Sequence, residues 1–177
     1  SVGVEVIQEG YEGWGMGPQA GLTWYPYEKL NLDFSLQPRQ SRDWLIWIVD
    51  EERLGSYSRR NITGRVTANW FPAERHEVRL NAQWLTIDAE GRQGYNIGTR
   101  GRLVPDDETV TDFAMINFGL QARYRYEIAP LSDFYIVYSR GGLERINDPT
   151  QGTMDLLEES TSLRKADQLL VKLRYGF

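Results

Sequence analysis

Polar and apolar residues alternate with a period of two along most of this chain. From Ala114 to Ile128 the even positions read Ala114, Ile116, Phe118, Leu120, Ala122, Tyr124, Tyr126 and Ile128. The odd positions between them read Met115, Asn117, Gly119, Gln121, Arg123, Arg125 and Glu127. Successive side chains of an extended chain point to opposite faces, so this pattern predicts a strand with one apolar and one mostly polar face. Leu30, Leu32, Phe34 and Leu36 alternate with Asn31, Asp33, Ser35 and Gln37, and Ile62, Val66, Ala68 and Trp70 with Asn61, Arg65, Thr67 and Asn69. Val78, Leu80, Ala82 and Trp84 alternate with Glu77, Arg79, Asn81 and Gln83. The chain closes on Leu169, Val171, Leu173, Tyr175 and Phe177, interleaved with Gln168, Lys172, Arg174 and Gly176.

Three connections, Trp24 to Lys29, Trp70 to Arg75 and Glu127 to Ser132, each place a proline between strands. Proline fixes φ and favours the second turn position, so each reads as a hairpin corner. Longer polar segments, 88–110 and 141–165, join strands at the other end. The sheet therefore has a short-turn end and a long-loop end. Eight strands are expected near 2–8, 14–25, 29–49, 53–71, 75–88, 111–128, 132–140 and 167–177, in one domain over 1–177, with a short helix within 153–165.

Alternation suits a soluble barrel with its apolar face inward as well as a membrane barrel with that face outward. Three features point to the second. The polar face carries long charged side chains, Arg65, Arg79, Arg123, Arg125, Lys172 and Arg174, as a wet lumen would. Aromatics gather at strand ends: Trp24, Tyr25, Tyr27, Trp70, Phe71, Tyr124, Tyr126, Tyr175 and Phe177 near the short turns, and Trp14, Trp84 and Phe113 toward the opposite end. Trp14 and Trp24 share one face ten residues apart, and a membrane strand crosses in about 9–11 residues between two aromatic girdles. Tyr175 and the terminal Phe177 resemble the signal read by the barrel-assembly machinery of bacterial outer membranes. The expectation is an all-β, antiparallel up-and-down transmembrane β-barrel in contact with outer-membrane lipid.

The stretch from Gln121 to Arg140, with its Arg-Tyr-Arg-Tyr-Glu-Ile-Ala-Pro core, followed by Leu169 to Phe177, resembles a known bacterial group. It is similar to the C-terminal barrel of outer-membrane proteins that carry an N-terminal module like family 9 carbohydrate-binding domains. Arg65 to Trp84 fits the same strand, proline turn, strand arrangement. The resemblance implies an outer-membrane location and a chain that is the terminal part of a longer protein, either a small barrel of about eight strands or the C-terminal part of a larger one. It brings no catalytic motif.

Composition then removes alternatives. The longest apolar run among the 177 residues is Trp44 to Val49, far short of the roughly 20 residues of a membrane helix. A net charge of -5 with no basic face argues against nucleic acid. Without cysteine there is no disulfide, thiolate metal site or thiol nucleophile. The single histidine, His76, follows a short turn, away from where a lipid-modifying base would act, and one histidine does not make a zinc site. Acidic clusters at 50–52, 106–108 and 158–159 lack calcium-loop spacing and read as solvated loop charge. Gly91, Gly94, Gly98 and Gly101 precede no helix, so they make no phosphate loop.

No catalytic residue, metal or cofactor is expected. The lumenal bases either favour anions in a pore or plug a narrow barrel with ion pairs, the latter being favoured. Beyond the outer girdle, Trp44, Ile46, Trp47 and Ile48 present apolar surface on both faces of a hairpin. Either a protein partner or the loops 89–110 and 142–165 would cover them. The expected role is an outer-membrane pore, anchor or loop-presenting scaffold. The alternative is a soluble β-barrel that binds a small apolar ligand.

Overall fold

A computed structural model describes residues 1–9, 13–48, 53–147 and 153–176. The acidic turn at 50–52 and the terminal Phe177 lie outside these described residues. The chain forms one antiparallel sheet: β1 (Val2–Glu9), β2 (Gly13–Tyr27), β3 (Leu30–Ile48), β4 (Arg53–Ala73), β5 (His76–Ile97), β6 (Leu103–Asp106), β7 (Phe113–Ala129), β8 (Ser132–Asn147) and β9 (Ala166–Arg174). Neighbours follow chain order, β1-β2-β3-β4-β5-β7-β8-β9, with the short β6 beside the far end of β5. One helix, α1 (Thr153–Ser162), lies in the last long connection.

The all-β, up-and-down expectation holds, with three differences. β5 runs to Ile97 and β8 to Asn147, beyond the point where clean alternation stops, because neighbouring strands continue to pair with them. β6 was hidden in a segment with no alternation. The sheet is also open: β1 and β9 each pair on one side only, so the wall of the expected barrel forms while its two edges stand apart. All three hairpins form where expected, but only Pro130 sits in its turn; the other two turns are Glu28-Lys29 and Glu74-Arg75, with Pro26 and Pro72 in the last residues of β2 and β4, beside register shifts. In the turn at Ala129–Ser132, Leu131 takes a φ of 66°, a left-handed conformation that usually goes to glycine.

Register fixes the two faces. The rung through Trp24 passes Leu32, Ala68, Leu80, Ala122, Tyr138 and Leu169. All seven are apolar or aromatic. The next residue on each strand turns to the other face, where Asp33, Asn69, Asn81 and Arg123 sit. The apolar face is bare over most of its area. Trp14 is 61% exposed, Leu22 61% and Leu173 63%. Toward the long-loop end α1 covers part of it, with Leu156 and Leu163 buried against Ala114 and Ile116.

The apolar band has two edges. At the short-turn end it stops at Trp24, Leu30, Trp70, Tyr126 and Tyr175. At the other end it stops at Gln40 on β3, Arg60 on β4, Asp88 on β5, the α1-covered residues on β7, Arg140 on β8 and Asp167 on β9. Between these limits β3 runs from Leu30 to Pro38, β4 from Ile62 to Trp70 and β7 from Phe118 to Tyr126, nine residues each. Trp84, expected at the outer girdle, stands inside the band on its long-loop side, two residues past mid-band Ala82 and four short of Asp88, its indole packed where a Cβ on Gly64 would be 2.1 Å away.

Steric room at β2 lets the sheet curl toward its polar face. A Cβ on Gly17 would come within 1.9 Å of the Pro38 carbonyl oxygen, and one on Gly13 within 2.7 Å of Asp43 Cβ. With these side chains missing, β1 and β3 approach within 8 Å across β2. In a flat sheet, next-nearest strands stand roughly 9.6 Å apart. Gly17→Val should therefore destabilise the fold by on the order of 1–3 kcal/mol through overpacking. Gly119→Val, where nothing lies within 4 Å of the added Cβ, should cost far less. Denaturant midpoints of the two variants in one detergent check the ordering.

Candidate functional site

The polar face concentrates charge in two layers. The first lies over the β2 glycines. Glu5 and Glu9 of β1 reach across them to β3 and β4: Arg39 donates to Glu5, and Arg59 donates to Glu9 at 2.5 Å. Gln37 also donates to Glu5. Ser41, Arg59 and Asn61 are buried to better than nine-tenths. Ser41 Oγ, Arg59 Nε and Asn61 Oδ1 have no hydrogen-bond partner among the described residues. None of these residues stood out in the sequence. Glycine at alternate positions 13, 15 and 17 was the available signal, since it vacates one face and lets flanking side chains meet across it.

The second layer lies near the short turns. Glu77 and Asp133 are buried, and Arg125 donates to Asp133 at 2.8 Å and approaches Glu77 at 3.5 Å. Arg79 donates to Glu77. Arg79 and Arg123 stand directly opposite on β5 and β7, a repulsive pairing that neighbours relieve: Glu77 takes Arg79, and the Arg123 guanidinium lies 5.2 Å from the Tyr135 ring centre. The expected lumenal bases thus share one face but not one environment. Arg65 donates to Gln83 at 3.3 Å. Lys172 and Arg174 sit on the exposed edge strand β9, and Lys172 has no ion-pair partner among the described residues.

At the long-loop end the polar face turns apolar. Tyr57, Ala89 and Phe113 are buried together with Trp44, Ile46, Ile87 and Val110 packed against them. The Tyr57 and Phe113 rings meet edge to face, 5.1 Å apart, an arrangement that adds to simple burial. Arg59 lies 4.6 Å from the Trp44 ring centre, so the aromatic cluster rests on the first ionic layer. A strap, residues 107–112, crosses this region over Gly55, Gly91 and Gly94. A Cβ on Gly91 would fall 2.1 Å from the Val110 carbonyl oxygen, and one on Gly55 3.0 Å from Val110 Cγ1.

Arg53 clamps the strap. Its buried guanidinium reaches Asp106 at 2.9 Å and the carbonyl oxygens of Glu108 and Thr109 at 3.4 and 3.0 Å, and Asp112 accepts from the Gly91 N–H at 2.7 Å. The acidic run at 106–108 is therefore partly tied to Arg53 rather than wholly solvated. The Glu108 backbone N–H and the Arg53 guanidinium hold the Asp106 carboxyl below its ordinary 3.8.

The hairpin candidates separate by face. Trp44, Ile46 and Ile48 share the side of Tyr57 and Gly55, where Trp44 and Ile46 join the aromatic cluster. Trp47 points to the other side and is 45% exposed. His76 Nδ1 lies 2.7 Å from the Tyr124 hydroxyl, in the aromatic row beside the short turn. Among the described residues no group of histidine and acidic side chains is arranged to hold a metal ion.

Arg53→Met should loosen the strap and speed cleavage after Glu108 at neutral pH about tenfold, the equivalent of losing one buried charged hydrogen bond of roughly 1.4 kcal/mol. Because the Asp106 carboxyl is lowered in the folded chain, its contribution is full above 3.8 and fades as pH falls through the lowered value. Asp106→Asn should flatten that acid dependence of the unfolding midpoint.

Family models, curated proteins and solved structures were compared with this chain, and none of the three comparisons returns a match.

Proposed function

We propose that this chain forms the wall of a bacterial outer-membrane β-barrel, its apolar face against lipid and its polar face an ion-paired interior. On this reading it serves as a membrane anchor and scaffold for the long-loop end rather than as an open conduit or an enzyme. One observation carries the proposal. The exposed apolar band has a near-constant height of nine to eleven residues on β2, β3, β4 and β7, from a largely aromatic row at the short-turn end to Gln40 on β3, Arg60 on β4 and the α1-covered residues on β7. That height matches the about 9–11 residues of a tilted membrane strand. The aromatic row matches the interfacial girdle of such barrels.

The polar face supports a plugged interior over a pore. Its layers neutralise Arg39, Arg59 and Arg125 with Glu5, Glu9, Glu77 and Asp133, and the aromatic cluster and strap fill the long-loop end. A soluble barrel for an apolar ligand would need an apolar lining on the enclosed side. The hollow of about 520 Å³ there is instead of mixed lining, with Asp33, Arg65, Thr23 and Thr67 beside Leu22 and Phe34. The resemblance of 121–140 and 169–177 to C-terminal outer-membrane barrels points the same way. Tyr175 lies in the short-turn aromatic row, and with Phe177 it would serve the assembly machinery. Trp47, exposed beyond the band, is the hairpin residue best placed for a protein partner.

Ala82→Arg places a charge at mid-band and should cost on the order of 2–4 kcal/mol in lipid. Gln83→Arg, one residue away on the polar face, should cost little. The wild-type chain should need detergent for extraction and migrate differently on gels with and without heating. Extraction by salt or alkali alone, with the two variants equally stable, would remove the membrane reading.

A further inference from the structure

The free edges of the sheet fit each other. β1 and β9 run antiparallel, as adjacent strands of this sheet must, since an even number of strands lies on the path. We infer that β1 pairs with β9 of the same chain in one register, Val4 opposite Leu173 and Val6 opposite Val171, closing an eight-stranded barrel. The inference rests on the membrane reading, and two independent features of the structure point to this register.

The first is the slope of the apolar band. Along the single rung that starts at Trp24, the residue on β2 marks the short-turn edge of the band, whereas Leu169 on β9 lies next to Asp167 at the opposite edge. From Leu169 the band continues to Tyr175, so its lower edge has shifted six residues over six strand steps. Its upper edge shifts at least as fast, from Gln40 and Arg60 to Arg140. Strands are therefore tilted against the band by about one residue per strand. A flat membrane slab meets itself around eight strands only if the edges join with a stagger of roughly eight to ten residues. Ten residues at ~3.3 Å over eight strands ~4.8 Å apart correspond to a tilt of about 40°, within the range of membrane barrels.

The second is the pattern on the edges themselves. The inferred register overlaps all of β1 with 168–175. Val2, Val4 and Val6 then continue the apolar face opposite Tyr175, Leu173 and Val171. On the polar face Glu5 meets Lys172, whose ammonium is otherwise without an ion-pair partner among the described residues. A shift of one residue would put valines against charges, as period-two registers do. A stagger of eight would set Glu5 against Leu170 and leave Tyr175 beyond the end of β1. The polar end of the band also joins up, Gln8 falling beside Leu169 and just below Asp167. The tight curl at β2 favours a small barrel made by one copy over a wide one shared by two.

The chain has no cysteine, so engineered pairs report the register cleanly. Val4→Cys should be combined in turn with Val171→Cys, Leu173→Cys and Tyr175→Cys, folded in detergent and oxidised. Paired residues in a ladder have Cα atoms about 4.5–5.5 Å apart, within disulfide range, whereas a shift of two residues along the strand takes them out of it. The expected result is near-complete cross-linking within one chain for Leu173→Cys and at least tenfold slower cross-linking for the other two. Gly3→Cys with Arg174→Cys is a second test on the polar face, where Gly3 has nothing within 4 Å of an added Cβ. Cross-links between two chains, a different favoured register, or folded protein with no cross-link at all would overturn the inference. Detergent dependence read on the same samples keeps the two proposals apart. A detergent-requiring chain without the cross-link rejects closure alone, and a cross-linked chain that stays in water rejects the membrane reading alone.

Discussion

The ladder register from β2 to β9 determines what every other part of this molecule can do. Because side chains alternate strictly along each strand, a single agreed register places Leu32, Ala68, Leu80, Ala122 and Tyr138 on one face and Asp33, Asn69, Asn81, Arg123 and Val137 on the other. A slip of one residue anywhere would interleave arginines with leucines across the wall. The hairpin turns protect that register by fixing where β2, β4 and β7 end. Register shifts occur only at the two ends of the ladders, at Ser41–Trp44 and Ser56–Tyr57 toward the long loops and at Trp24–Tyr27, Trp70–Ala73 and Glu127–Ala129 beside the short turns, so the register between them is unbroken.

With the faces fixed, glycine decides the shape. On β2 it removes three side chains from the polar face and lets Glu5 of the edge strand reach Arg39 two strands away and Glu9 reach Arg59 three strands away. At Gly55, Gly91 and Gly94 it opens a trough for the strap that Arg53 holds. Buried ion pairs gain little net stability by themselves, because desolvation offsets attraction. Their consequence here is specific geometry: Glu9 sits between Arg39 and Arg59, and Glu77 between Arg79 and Arg125, so each carboxylate ties neighbouring strands together and the polar face fills from both ends.

The long strands, the places of the hairpin turns and even the short helix after 153 were legible in the sequence because period-two alternation and its interruptions are local signals. What lay beyond reach depends on contacts distant in sequence. The glycines of β2 gain meaning only once β1 and β3 are known to flank them. Arg53 reads as one more charge after an acidic turn until the strap at 106–112 is folded onto it, 53 residues away. Trp84 looked like a girdle residue from its place near a strand end, and β5 turned out to extend thirteen residues further, to Ile97. The bases expected to line a lumen share one face of the sheet, as their parity indicated. Parity could not say that Arg125 would be tied to Asp133 while Lys172 would lie on a free edge.

The central claim, that the apolar face is solvated by lipid, is open to measurement through tryptophans that the fold places at different depths. Single-tryptophan variants retaining Trp84, Trp24 or Trp44, the remaining tryptophans replaced by phenylalanine, would be reconstituted in vesicles of lipids brominated either at mid-chain or near the glycerol. The account predicts strong quenching of Trp84 by mid-chain bromine, of Trp24 by the shallow bromine, and of Trp44 by neither. Trp84 that is quenched by aqueous acrylamide and untouched by either brominated lipid would contradict it.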